Sequence, residues 1–149
     1  MRRTILCAAF LALVTPMFAA ADFAGTWKLN TQTSTGPEQP TETQLVAVTE
    51  GPTQTITVTG TTSDGAPRTT RFSFPVKGGA GTILEAPFKA VTAKPSTPTV
   101  QDFLFTIDGK PAMHIHSVMS ADGKTVTTTR TVTAGPMKPG TYTDVWERQ

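Results

Sequence analysis

The sequence predicts an all-β fold: a single antiparallel up-and-down β-barrel of about eight or nine strands, with a β-sandwich as the alternative. Three observations point there. Threonine supplies 28 of the 128 residues from Asp22 to Gln149 and alternates with Ile and Val in runs such as TQTITVTGTT and TVTTTRTVT. β-Branched side chains at period two suit a half-buried pleated strand. Asp-Gly pairs at 64–65, 108–109 and 122–123 separate strand-like runs, the strongest short-range hairpin signal. No segment repeats its apolar residues with the 3.6-residue period of a helix.

In chain order, turn residues divide the sequence into strands at 25–29, 42–49, 53–61, 68–76, 82–92, 99–107, 112–119, 125–133 and 141–148. Residues 30–41 carry Gly36, Pro37 and Pro40 without periodicity, which predicts a loop crossing one end of the sheet. The next three strands are short alternating runs joined by Gly51-Pro52 and by Ser63-Asp64-Gly65. Pro75, Pro87, Pro95 and Pro98, with Gly78 and Gly79, break up the centre, so edge strands or bulges belong there. The strands at 99–107, 112–119 and 125–133 follow one another through Asp-Gly turns, and sequential hairpins favour closure into a barrel, which leaves no exposed sheet edge.

The first 21 residues read as a secretory signal. Arg2 and Arg3 precede an apolar run from Thr4 to Phe18, and Ala19-Ala20-Ala21 fits a signal peptidase, so residues 22–149 form the mature domain. The only cysteine, Cys7, lies in that signal, which leaves the mature chain without disulfides. Without Arg2 and Arg3 the 13 basic residues fall to 11, against 11 acidic ones, so the mature chain has no formal net charge. No basic cluster is present to neutralise a phosphate backbone, and nucleic-acid binding is not expected. No second apolar run is long enough for a transmembrane helix. The expected location is the periplasm or the exterior.

Gly25-x-Trp27 on the first strand, with Leu29 two residues on, resembles the G-x-W signature of the calycin superfamily, which includes lipocalins, fatty-acid-binding proteins and avidins. In that superfamily the tryptophan closes one end of an antiparallel barrel, and in lipocalins a late arginine packs across it. Arg148 occupies the matching place here. DFAGTWKLN followed by Ser34, the hairpin SADGKT, and the closing VWERQ also resemble small exported bacterial proteins described as lipocalin-like, of uncharacterised function. The resemblance implies a lipocalin-like barrel, with Gly25, Trp27 and Arg148 structural, and brings no catalytic residue. This chain departs from the families it resembles in ending on the strand TYTDVWERQ, where a typical lipocalin has a C-terminal helix, and in having only two tryptophans, Trp27 and Trp146, where avidins have several. Residues 30–41 are too rich in Pro and Gly for a helical lid.

Candidate ligand-binding residues come from strand parity. Phe72 and Phe74 share one face of a strand, Phe103 and Phe105 one face of another, and His114 and His116 one face of a third. In a barrel of about eight strands such aromatics either fill the interior or surround one small ligand. The two histidines are spaced like metal ligands, with Asp102, Asp108 and Asp144 as carboxylates that could complete a set, yet their ordinary role is a sheet face. Facing a cavity, they would give a pH-sensitive pocket. No G-x-S-x-G elbow, H-E-x-x-H helix or phosphate-cradling glycine loop occurs. The reading is therefore a protein that is not an enzyme and uses no metal or cofactor. It binds a small apolar or amphipathic molecule, or else is a filled barrel that engages an envelope protein.

Overall fold

The computed structural model describes residues 22–62 and 64–149. The signal assigned to residues 1–21 and Ser63 of the first Asp-Gly turn lie outside the described residues. Alternation along each strand sends one set of side chains into a common interior and the other to solvent. The strands are β1 (Gly25–Leu29), β2 (Glu42–Glu50), β3 (Thr53–Thr61), β4 (Pro67–Pro75), β5 (Gly79–Ala80), β6 (Thr82–Glu85), β7 (Ala90–Ala93), β8 (Val100–Ile107), β9 (Lys110–Met119), β10 (Thr125–Val132) and β11 (Gly140–Arg148).

All eleven belong to one antiparallel sheet ordered β5-β7-β8-β9-β10-β11-β1-β2-β3-β4-β6. The first and last strands pair, Trp27 opposite Arg148 and Leu29 opposite Trp146. The two ends of this order, β5 and β6, are consecutive in the chain. Gly79 and Ala80 pair with Ala93 and Thr92 of β7, whereas Thr82 and Ile83 pair with Ser73 and Phe72 of β4. One short segment thus changes partner at Gly81 and brings the sheet round into a nearly closed barrel. A side chain at Gly81 would have its Cβ 2.5 Å from Ser73 O and 2.8 Å from a Val91 methyl, so this close approach of β4 and β7 requires glycine.

The strand count exceeds the expected eight or nine, and the difference lies in the proline-rich centre. The predicted strand 82–92 is broken at Ala86-Pro87, giving β6 and β7, and the glycine pair before it adds β5. Proline cannot donate to a ladder, and its ring turns the chain away from the sheet. Elsewhere the meander follows the punctuation. Between β8 and β9, Asp108 and Gly109 take φ of 51° and 73°, the two positive values that a two-residue type I′ hairpin needs. Residues 30–41 run on past β1 beside β11, with Thr35 bridging Thr143.

The core has two clusters, one around Trp27 and Trp146 and one around the phenylalanines, with Leu45 and Val58 packed against both. Phe72, Phe74, Phe103 and Phe105 are all buried, and Phe105 has no exposure at all. Phe72 meets Phe105 and Phe103 edge-on at ring separations of 5.0 and 5.3 Å, and Phe74 meets Phe103 at 4.7 Å. Edge-to-face pairing adds about 0.5–1.5 kcal/mol per pair beyond burial of the rings. Because β4 and β8 lie on either side of the short central strands, this cluster ties the nearly closed side of the barrel together.

Candidate functional site

The interior has two ends of different chemistry. At one end Trp27, 1% exposed, donates from its indole Nε1 to Phe23 O at 3.0 Å. The Arg148 guanidinium lies 4.1 Å from the centre of the indole. It donates from Nε to Gly123 O, from Nη1 to Ala24 O and from Nη2 to Asp22 O, at 2.8, 2.8 and 2.7 Å. Cation–π attraction and these charge-assisted bonds hold the first and last strands across the base of the barrel. Gly25 makes room for the arrangement. Its φ is +134°, and a Cβ there would stand 2.9 Å from Arg148 Nη1.

Between this plug and the opposite end lies a cavity of about 100 Å³. Phe72, Phe103, Phe105, Met113, Ala47 and Ile56 supply its mostly apolar wall, and Phe88 and Met137 cover it from the loops beyond β6 and β10. On one side the wall is ionic. Arg130 of β10 places Nε 2.5 Å from Asp144 Oδ2 and donates from Nη2 to Asp144 Oδ1 at 3.0 Å, both toward β11. Its Nη1 donates to Glu42 Oε1 of β2 at 3.0 Å, and the same oxygen accepts from Arg68 Nη2 of β4 at 2.5 Å. β10 and β4 are five places apart around the wall, so the chain Asp144–Arg130–Glu42–Arg68 crosses the lumen.

Burial and charge compete within this chain. Burial opposes ionisation of Glu42, but Arg130 and Arg68 together outweigh it and hold the carboxyl below its ordinary 4.5. For Asp144 burial outweighs the pull of Arg130 and pushes the carboxyl above its ordinary 3.8. Burial likewise opposes the charge on Arg130, yet Glu42 and Asp144 hold its proton more tightly than usual. Two cations and two anions leave the cluster neutral. The Arg130 guanidinium also lies 5.1 Å from the Tyr142 ring, whose hydroxyl proton is shared between Lys138 O at 2.8 Å and Glu38 Oε2 at 3.1 Å. That ties the loop after β1 to the loop after β10.

The structure brings Phe72, Phe74, Phe103 and Phe105 together inside the barrel and places His114 and His116 on its outer face. A pocket that senses pH through these histidines is therefore not formed. Asp102 Oδ1 lies 3.0 Å from His116 Nδ1 and 3.3 Å from His114 Nε2, and both imidazoles are half-exposed. Burial opposes ionisation of Asp102, but the hydrogen bond and charge of His116, with Lys94 and His114 beyond, hold its carboxyl below 3.8. Of the other carboxylates weighed, Asp108 sits in the β8–β9 turn and Asp144 inside the barrel. Among the described residues no group of three or more His, Cys, Asp and Glu side chains is arranged to hold a metal ion.

Sequence reasoning missed Glu42, Arg68 and Arg130, and placed Asp144 with the histidines. A signal was available. Arg130 has the parity of Val126 and Val132, and Asp144 that of Tyr142 and Trp146. A charge at an inward position of an alternating strand needs a buried partner, and here each of the two is that partner for the other.

Fold and site together define an all-β, antiparallel, nearly closed barrel compatible with a calycin-like architecture. No protein-family model matches the chain, and no curated protein matches it at a significant level. No helix among the described residues is long and apolar enough to cross a membrane.

Proposed function

We propose that this protein is an exported, lipocalin-like binding protein, acting in the periplasm or outside the cell, which holds a small apolar or amphipathic molecule in its barrel without catalysing a reaction. The observation that carries this reading is the cavity between the Trp27 plug and the Arg130 cluster, with aromatic walls and one polar side. Concave, chiefly apolar sites with a few convergent polar groups are the usual form of small-molecule sites. Native mass spectrometry of protein purified gently from the periplasm, compared with the same sample denatured, tests it. Extra mass that leaves on denaturation is the expected result; a bare mass in both states, with apolar dyes also failing to bind, refutes it. The intact mass also tests export, since a chain beginning at Asp22 is the expected product.

The edge-to-face packing of the phenylalanines favours a second reading, a filled barrel that serves as an interaction module for an envelope protein. A cavity-filling variant, Ala47→Leu, separates the two, since Ala47 lines the cavity and the change adds only apolar volume. A binding pocket would lose its ligand while the barrel stayed folded, whereas a filled core has no room for the added volume and would lose stability.

A further inference from the structure

We infer that the lumen selects a compact, uncharged, chiefly apolar molecule no larger than about one six-membered ring, and that the Glu42–Arg130–Asp144–Arg68 cluster is the element that rejects charged ligands. The inference rests on the reading of the lumen as a binding site.

Size follows from volume. A dry, apolar engineered cavity of about 150 Å³ admits benzene, and the cavity here is about 100 Å³. A ring or a short branched chain fits with small movements of Met137 and Phe88. A long acyl chain or an extended pigment does not, because Phe72, Phe103 and Phe105 already fill the adjoining space in mutual contact.

Charge selection follows from the ion pairs. An arginine lining an apolar cavity would ordinarily attract a carboxylate, but both arginines here are engaged. Arg130 faces Asp144 with two nitrogens and Glu42 with a third, and Arg68 shares the same Glu42 oxygen. Arg130 and both acids are nearly inaccessible to solvent, so these three can neither gain counterions nor relax into water, and only the partly exposed Arg68 reaches the surface. An anionic ligand would have to displace Glu42 or leave an uncompensated charge beside the phenylalanines, and a cationic ligand would meet the same obstacle through Arg68. A neutral molecule disturbs none of these pairs.

Five single-ring probes test this on the intact protein by isothermal titration calorimetry at pH 7: benzene, phenol, benzoate, benzylammonium, and benzyl alcohol as a neutral match in size for the two ions. The expected result is that phenol and benzyl alcohol bind at least tenfold more tightly than either ion. Glu42→Gln leaves the cluster with one excess positive charge and should raise the ratio of benzoate to phenol affinity at least tenfold. Arg68→Gln leaves one excess negative charge and should do the same for benzylammonium. Circular dichroism checks that each variant folds. If Glu42→Gln does not fold, Arg68→Gln decides alone, since its side chain is 26% exposed and its loss leaves Glu42 paired with Arg130.

Wild-type protein that binds benzoate as tightly as phenol overturns charge rejection while leaving the binding reading intact. A bound mass far larger than a single ring in the native spectrum overturns the size limit. Failure of every ring probe together with a bare native mass overturns the binding reading itself.

Discussion

Arg130→Met is the substitution whose consequences the interior fixes most tightly. Methionine fills much of the volume, so packing changes little, but Asp144 loses the partner that faces both its oxygens. Glu42 keeps Arg68. The main effect is therefore one uncompensated carboxylate at a site 2% exposed to solvent. Removing one partner of a buried ion pair costs about 3–5 kcal/mol, and that is the expected loss at pH 7.

The loss should depend on pH, with a definite sign. Burial already raises the Asp144 carboxyl above 3.8 in the intact cluster, so the folded state binds this proton more tightly than the unfolded chain does. Without Arg130 the opposing attraction disappears and the rise grows. A group with a raised folded pKa favours folding increasingly as pH falls through that value. Urea denaturation followed by the fluorescence of Trp27 and Trp146 should show a deficit at pH 7 that shrinks by at least about 1 kcal/mol at pH 5. Adding Asp144→Asn should restore much of the stability at pH 7. A deficit below about 1 kcal/mol at pH 7, or one that is the same at both pH values, would refute the assignment of Asp144 as a buried, partnered charge.

Trp27→Ala should cost on the order of 3–5 kcal/mol in the same urea experiment, the range for a buried large aromatic; a cost near zero would remove Trp27 as the plug. Gly25→Ala should cost about 1–3 kcal/mol, since φ of +134° suits glycine and the new methyl meets Arg148 Nη1 at 2.9 Å. A neutral outcome would mean that Arg148 moves aside freely. Glu42 has a lowered folded pKa, so its contribution is full above about pH 4.5 and is lost as pH falls through the folded value. Glu42→Gln should therefore flatten the acid limb of stability against pH, and an unchanged limb would show that Glu42 does not govern it.

Strands were legible wherever sequence alternation and turn chemistry agreed. β8 and β9 are such a pair, because Asp108-Gly109 fixes a two-residue hairpin and hence the register on both sides. The centre was less legible. Prolines from 75 to 98 announce interruptions without saying which fragments still pair, and a single segment that serves two different neighbours leaves no local mark. The face of the phenylalanines could not be read from one strand alone, since period two is symmetric between inside and outside. Arg130 and Asp144 could have broken that symmetry by comparison with the apolar residues of their own strands. Their connection to Glu42 and Arg68 could not, because it joins strands far apart in sequence through the curvature of the wall.

The change of partner at Gly81 has a mechanical meaning. Elsewhere the barrel is stitched by single ladders lying side by side, and the short β1–β11 ladder is reinforced by the Arg148 hydrogen bonds and the Thr35–Thr143 bridge, but here two short ladders meet end to end. β5 contributes two paired residues toward β7, and β6 three toward β4. Cooperative opening begins where the fewest bonds must break together, so the cylinder should breathe along this line before either rim loosens. Amide exchange would be fastest at Gly79–Ala80 and Thr82–Glu85. Phe72, which pairs with Ile83 across that seam, would be the first aromatic of the lumen to meet water, through the wall itself.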